Sequence, residues 1–247
     1  MALYDFLLYR PIFNLLVFFY DAIPGNDIGL AIILVTVAIK FLLLPLSKKA
    51  LVNQKALQQL QPKLEALKEK YKNEKEKMAQ ATMQLYKEEK INPLSSCLPL
   101  LIQLPIIIAV YNVFRIGLST QDFSALYTFV PNPGTINTLS FGFVDMAASA
   151  TLPGLILAVA AGLAQYFQAR MFSRRQPPKD PKGHLVKGSE DESVAAIMNK
   201  QMLYLMPALT VIFGYYLPAG LVLYWLVQTL FMLIQQILFF RKDELKG

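Results

Sequence analysis

Few of the residues that build catalytic and metal sites are present in this sequence. Cys97 is the one cysteine among 247 residues, which excludes an internal disulfide. His184 is the one histidine, and it lies in a polar stretch. Apart from Asp27 at the first position of the first apolar segment, no Asp, Glu or His occurs in the apolar segments defined below. We therefore expect no catalytic residue, metal site or cofactor within them, and no enzyme activity.

Charge is also scarce. Charged residues make up 17% of the chain and hydrophobic residues 55%, with a mean hydropathy of +0.40. A soluble domain of this length carries more charge. Apolar segments of about 20 residues match the ~30 Å thickness of the hydrocarbon core of a bilayer. The sequence therefore predicts an all-α integral membrane protein with five transmembrane helices, at 27–46, 94–114, 152–172, 202–217 and 219–240.

Lysine and arginine are distributed very unevenly between the segments that connect these spans. The segments 47–92, 170–200 and 241–247 hold 21 of the 24 basic residues. With five spans, all three segments lie on one side of the membrane. The positive-inside rule places that side in the cytoplasm, including the basic tail 241–247. The start of the first span is then outside.

The N-terminal segment 1–24 has two interpretations. Its apolar run is interrupted by Asp5, Arg10 and Asn14 and is dense in aromatic residues. An amphipathic helix that lies on the external face of the membrane fits this pattern. A sixth span is the alternative, and charge counting does not decide because a sixth span leaves every later segment in place.

The first cytoplasmic segment, 48–91, has the pattern of two amphipathic helices. Leucines from Leu57 to Leu67 recur at spacings of three and four, and the pattern resumes at Met78 after the polar break at 72–75. We expect an antiparallel helical hairpin with Pro62 near the first turn of its helix, or, as the alternative, a solvated charged linker. The segment 173–200 lacks periodicity and is expected to be a mobile loop.

Lys40 is the exception in the apolar run LVTVAIKFLLLPL, residues 34–46. A lysine at the centre of a membrane helix costs about 3 kcal/mol on insertion scales. One explanation is snorkelling of the side chain to the cytoplasmic edge, which Lys48 marks. The other is that Lys40 faces a hydrated cavity among the helices. The tilt of helical side chains toward the N-terminus favours the cavity.

Polar residues in the spans support such a cavity, although each alone fits ordinary hydrogen bonding between helices. They are Thr36, Gln103, Gln165, Gln168, Gln228 and Thr229. A positive groove without an internal counter-ion attracts an external anion. A lipid phosphate, a small anion and the acidic residues of a polypeptide all satisfy that requirement.

Four stretches of the chain resemble the YidC-type membrane protein insertases, a family that includes the mitochondrial and chloroplast insertases. The stretch NPLSSCLPLLIQLPIIIAVY (92–111) resembles the second core span of that family. The stretch LPAGLVLYWLVQTLFMLIQQ (217–236) resembles its last span. The cytoplasmic hairpin is similar in LQPKLEALKEKYKNEKEKM (60–78), and the exit of the first span in KFLLLPLSKKA (40–50). The resemblance covers essentially the whole chain, as a short form without the large extracytoplasmic domain of some bacterial members.

The resemblance implies an insertase and chaperone for newly synthesised membrane proteins. It implies five helices around a hydrophilic groove that is open to the cytoplasm and to lipid. A single positive residue on the first span recruits acidic or polar parts of the substrate. The family usually has arginine there, and this chain has Lys40. Lysine keeps the charge but loses the bidentate fork of arginine.

The same resemblance implies further site residues and partners. Thr36, Gln103 and Gln168 line the groove, and Trp225 falls at an aromatic position associated with substrate contact, unless it is an ordinary packing residue. Expected partners are nascent membrane proteins, the ribosome, membrane lipids, the Sec translocon and the signal-recognition-particle pathway. The expected location is the bacterial plasma membrane. The alternative functions are a small-anion transporter or channel that uses Lys40, and a purely structural scaffold.

Overall fold

The computed structural model describes residues 2–71, 74–92, 98–118, 120–174 and 201–244. Ser95, Ser96, Cys97 and His184 lie outside the described residues. So do residues 175–200 of the predicted mobile loop and 245–247 of the basic tail.

Helices make up most of the described chain. They are α1 (Ala2–Tyr4), α2 (Arg10–Ala22), α3 (Ile28–Leu42), α4 (Leu44–Lys70), α5 (Lys75–Glu88), α6 (Leu98–Asn112), α7 (Leu152–Arg174), α8 (Met206–Tyr216) and α9 (Ala219–Glu244). Three π-helical segments, Asp5–Tyr9, Val113–Leu118 and Gln201–Leu205, adjoin α2, α6 and α8. The strands β1 (Leu139–Ser140) and β2 (Val144–Asp145) form a short antiparallel hairpin.

Three helical segments are long and apolar enough to cross a bilayer: Leu101–Leu118, Leu152–Met171 and Ala219–Arg241. A fourth candidate is the pair Ile28–Leu42 and Leu44–Leu57, which passes the same test together but is bent by 64°. The apolar helix Leu203–Tyr216 is shorter. The chain is therefore a helical integral membrane protein with three to four such spans among the residues that the structure describes, and the count of five stays a prediction.

The first helix of the first predicted span ends earlier than expected, while the bounds of the span itself stay a prediction. We predicted 27–46, but α3 ends at Leu42 and α4 starts at Leu44 in a new direction. Pro45 stands in the first turn of α4, where its missing N–H is tolerated. Within a continuous helix its ring would clash with the carbonyl of Phe41, so the chain bends instead.

The segment 48–91 contains parts of two helices in contact, α4 and α5. Lys63 Nζ forms an ion pair with Glu89 Oε1 across them. The prediction that Pro62 lies near the first turn of its helix was wrong. Because α4 begins at Leu44 and runs for 27 residues, Pro62 lies inside it. The antiparallel arrangement over 48–91 stays a prediction.

The N-terminal helix α2 packs against α3 and α6 and buries one face. Phe13 and Val17 are fully buried on that face. Asn14, which interrupts the apolar run in sequence, is buried and joins α2 to the loop after α6. Its Nδ2 donates to the carbonyl of Ala125 at 2.9 Å and its Oδ1 accepts from Tyr127 N at 2.6 Å. Whether 1–24 lies on the membrane stays a prediction.

The β hairpin is fastened to the start of α3 through one carboxylate. Asp27 is the N-cap of α3, and its Oδ1 accepts from Leu30 N at 3.0 Å and from the Ser140 hydroxyl. Its Oδ2 accepts from Phe141 N at 2.8 Å, while Gly29 N donates to Ser140 Oγ at 3.0 Å. Partial burial raises the pKa of Asp27, but these hydrogen bonds outweigh it and hold the pKa below its ordinary value.

Candidate functional site

Lys40 lies in the last turn of α3 and is turned into the helix bundle. Its side chain is only 5% exposed. The ammonium Nζ donates to Oε1 of Gln103 on α6 at 3.2 Å. The lysine therefore meets a polar side chain of another helix, rather than extending out of the bundle. This is the direction that the tilt of side chains toward the helix N-terminus favours.

Gln103 extends this contact to a third helix. Its Nε2 donates to the hydroxyl of Tyr224 on α9 at 2.7 Å. Lys40, Gln103 and Tyr224 thus form a hydrogen-bonded chain across α3, α6 and α9. Tyr224 is 1% exposed and is a site residue that the sequence analysis missed. The available signal was its position one helical turn before Gln228 on the same face of α9.

In this series of hydrogen bonds from Lys40 through Gln103 to Tyr224, the donors outnumber the acceptors. A lysine ammonium carries three N–H donors, and Gln103 is the acceptor found for it in the described part of the chain. No ion pair within the described ranges involves Lys40. A buried cation is thus held by a neutral amide, an arrangement that leaves it able to bind an added acceptor.

Thr36 lies one turn before Lys40 on α3 and is 1% exposed. Its Oγ1 donates to the carbonyl of Ile32 at 2.6 Å, so its donor is used within its own helix while the oxygen can still accept. It lines a cavity of about 10 Å³ together with Tyr224 and apolar side chains. Such a cavity has at most the room of a single water molecule.

Gln228 follows Tyr224 by one turn and is buried, at 5% exposure. Its Oε1 has no hydrogen-bond partner among the residues that the structure describes. The same holds for Oε1 of Gln236, two turns further along α9, which the sequence analysis did not select. A buried amide oxygen without a donor costs free energy, so α9 carries acceptor capacity that other groups can use.

The structure places Gln165 in a different set of contacts. Its Oε1 accepts from Thr210 Oγ1 at 2.6 Å, which joins α7 to α8. Gln168 and Trp225 are half-buried. The backbone carbonyl of Trp225 accepts from Thr229 Oγ1 at 2.8 Å. Of the predicted site residues, Lys40 and Gln103 are therefore joined directly, and no described hydrogen bond joins Gln165, Gln168, Trp225 or Gln228 to them.

Metal-ligating side chains do not cluster in the described ranges. No group of three or more His, Cys, Asp or Glu residues there is placed to hold a metal ion. What the site offers chemically is a buried cation, a buried phenol and amide groups on three helices.

The fold and the site define a class: a helical integral membrane protein with a buried lysine that is hydrogen-bonded to a neutral partner. The chain belongs to the 60Kd inner membrane protein family, whose profile matches residues 18–246. This confirms the resemblance found in the sequence.

Individual relatives agree with this assignment. The chain is 34% identical over 222 residues to a membrane protein insertase YidC of Fusobacterium nucleatum, with 90% of each chain covered. It is 34% identical to YidC of Mannheimia succiniciproducens over 96% of this chain and 37% of that protein. An active YidC insertase crystal structure with its first transmembrane domain resolved has a TM-score of 0.57 and 27% identity. That likeness covers 92% of this chain and 46% of the other.

Proposed function

We propose that the protein inserts newly made membrane proteins into the bilayer and assists their folding. The proposed location is the bacterial plasma (inner) membrane. The observation that carries the proposal is Lys40, a buried cation with a neutral partner in a chain of the insertase family. The insertases of this family are non-catalytic, so the protein is not an enzyme. No covalent step is required of it.

The free energy for insertion comes from the substrate. Moving apolar surface from water into lipid contributes roughly 25 cal/mol per Å². The barrier is the passage of polar flanking residues, which lose their water on the way. The protein lowers this barrier by offering hydrated polar groups within the membrane.

Lys40 acts on acidic flanks in particular. A carboxylate of the substrate replaces Gln103 as the acceptor of the ammonium, and a hydrogen bond between ionised groups is roughly twice as strong as a neutral one. The Gln103 amide remains bonded to Tyr224 and keeps the site in shape. Binding is transient because the substrate then leaves sideways into lipid.

The remaining predicted residues form the wall of a hydrophilic groove in this proposal. They are Thr36, Gln165, Gln168, Trp225 and Gln228. The free Oε1 of Gln228 supports the role, since it can accept from backbone N–H groups of an unfolded segment. The groove opens to the cytoplasm and to lipid.

The proposed topology has five spans, with the start of the first span outside and the C-terminus in the cytoplasm. The hairpin 48–91 then receives the nascent chain. The basic segments 170–200 and 241–247 meet ribosomal RNA or anionic lipid. The Sec translocon and the signal-recognition-particle pathway are proposed partners in delivery.

Reconstitution in liposomes tests the proposal. The substrate has a single span and an acidic tail, and the readout is the fraction of tail protected from external protease. We expect Lys40→Ala to lower insertion about tenfold, the value of one hydrogen bond to a charged group. Lys40→Arg should retain it, and Lys48→Ala, an exposed lysine at the membrane edge, is the matched control.

Two results would contradict the proposal at different points. Failure of the wild-type protein to insert any substrate refutes the function. Normal insertion by Lys40→Ala refutes the electrostatic role alone. Flux of chloride or phosphate through the same liposomes, lost in Lys40→Ala, would instead identify an anion transporter.

A further inference from the structure

Helices α7 and α8 leave an apolar crevice of about 230 Å³ between them. On α7 it is bounded by Val159, Gly162 and Leu163, and on α8 by Pro207, Ala208 and Val211. Leu163 is 54% exposed, so the crevice opens on the outer surface of the bundle rather than into its core.

Gly162 explains why the two helices approach closely at the base of the crevice. A Cβ atom at this position would lie 2.7 Å from Val211 Cγ2 and 3.0 Å from the carbonyl oxygen of Pro207. The close approach at one point leaves a narrow furrow along the line where the helices diverge. In a span of this hydropathy such a crevice faces hydrocarbon, and its lining side chains are apolar apart from the tyrosines.

Aromatic residues close one end of the crevice. Tyr166 lines it, and the ring centroid of Tyr204 lies 6.1 Å from that of Tyr166. Tyr204 is 62% exposed. Tyrosine side chains are typical of the boundary between hydrocarbon and lipid headgroups, because the ring is apolar and the hydroxyl is not.

Arg170 follows Tyr166 by one helical turn. Its guanidinium carbon lies 6.0 Å from the centroid of the Tyr166 ring, a cation–π contact that holds the side chain over the end of the crevice. Arg170 is exposed, and none of the ion pairs in the described ranges includes it. The guanidinium is therefore oriented without being neutralised.

We infer that the crevice between α7 and α8, together with Arg170, binds an anionic phospholipid. One acyl chain lies in the apolar crevice, the glycerol region meets the tyrosine pair, and the phosphate binds Arg170. Arginine suits phosphate because its planar donors reach two oxygens at once. Along α7 the apolar lining is followed by Tyr166, which meets Tyr204, and then by Arg170, and this is the order of chemical groups along a phospholipid. The inference does not depend on the insertase function.

Native mass spectrometry of the purified full chain in detergent tests the inference. The probes are phosphatidylglycerol and phosphatidylcholine of equal acyl length. We expect the wild-type protein to retain phosphatidylglycerol preferentially. Arg170→Gln should weaken that binding about fivefold, the contribution of one basic residue near an anionic lipid surface, and Arg170→Lys should keep part of it. Arg115→Gln, an exposed arginine in the segment Val113–Leu118 and outside both basic segments, should bind as the wild type does.

The crevice needs a test of its own, because a free phosphate group would bind Arg170 without it. Ala208→Phe fills the furrow and should weaken phosphatidylglycerol binding with Arg170 intact, and an excess of inorganic phosphate should not displace the lipid. Equal retention of the two lipids by the wild type would overturn the inference. So would unchanged binding in Arg170→Gln, or displacement of the lipid by inorganic phosphate.

Discussion

Replacing Gln103 by glutamate would give Lys40 an internal counter-ion. The amide oxygen of Gln103 already lies 3.2 Å from the ammonium, and the substitution is nearly isosteric, so a carboxylate would occupy the same place. We expect Gln103→Glu to be folded and at least as stable as the wild type. We also expect it to be a poor insertase for substrates with acidic tails, because the site is already filled.

The magnitude follows from the geometry. At 3.2 Å and an effective dielectric constant of about 20, unit charges attract each other by roughly 5 kcal/mol. Desolvation of the new carboxylate offsets much of this. A net advantage of about 1.4 kcal/mol over the substrate carboxylate is enough for a tenfold loss of binding. We therefore expect insertion of acidic-tail substrates to fall at least tenfold.

The assay compares two substrates that differ only in the tail, one with Asp and Glu and one with Asn and Gln. Protease protection in liposomes is measured for wild type, Gln103→Glu and Lys40→Ala. In both variants, insertion of the acidic substrate should fall much more than insertion of the neutral one. If Gln103→Glu, shown to be folded by circular dichroism, inserts the acidic substrate at the wild-type rate, then the argument that the missing counter-ion belongs to the substrate is refuted.

Three further predictions concern stability, followed by thermal unfolding in detergent. Asn14→Ala should destabilise the protein by about 2–3 kcal/mol, because it removes two hydrogen bonds to the 125–127 loop and leaves their partly buried backbone groups unpaired; an unchanged melting temperature would contradict this. The pKa of Asp27 is lowered by folding, so its contribution is complete above the unfolded pKa of about 4 and is lost as pH falls through the folded value. The melting temperature should therefore fall between pH 5 and 3 more steeply in the wild type than in Asp27→Asn. Parallel curves would refute the stabilising role of the hydrogen bonds to the Asp27 carboxylate. Lys63→Ala should cost at most about 1 kcal/mol, since its ion pair with Glu89 is exposed, and a larger loss would show that the pair organises the hairpin.

The membrane character, the family and the burial of Lys40 among the helices were predictable from sequence, since each rests on residues that are unusual in their local context. A lysine in an apolar run is visible without a structure. Tyr224 was not visible, because a tyrosine in an apolar run is typical of ordinary packing. Its role comes from a contact with Gln103 that spans 121 residues of chain.

Gln165 shows the converse. Its polarity within a span marked it correctly as a residue with a partner, but sequence spacing gives no means to choose between Lys40 and Thr210. The structure pairs it with Thr210. Pairings between helices depend on the rotation of each helix about its axis, which hydrophobic periodicity leaves undetermined when a helix is apolar on all sides.

Two features of the backbone were missed for different reasons. The bend after Leu42 had a local signal in Pro45, which the run of leucines around it obscured. The β hairpin did not have the usual signal. Its turn places Phe141 and Gly142 at φ of +52° and +80°, and phenylalanine is not a residue that indicates left-handed backbone.

The 64° bend at Leu43 separates the short distance to Lys40 on α3 from the long helix α4. Its 27 residues extend about 40 Å from the bend, whereas Lys40 lies three residues, or about 4.5 Å, on the other side. A rotation of about 5° at the bend displaces the far end of α4 by about 3.5 Å and the Lys40 backbone by about 0.4 Å. A rotation of α4 about the bend, such as the proposed docking of a partner on α4 and α5 would require, therefore moves the far end of α4 much more than the lysine. The opposite end of α3 stays fixed by Asp27. The bend that Pro45 marks thereby keeps the position of Lys40 nearly independent of such a rotation.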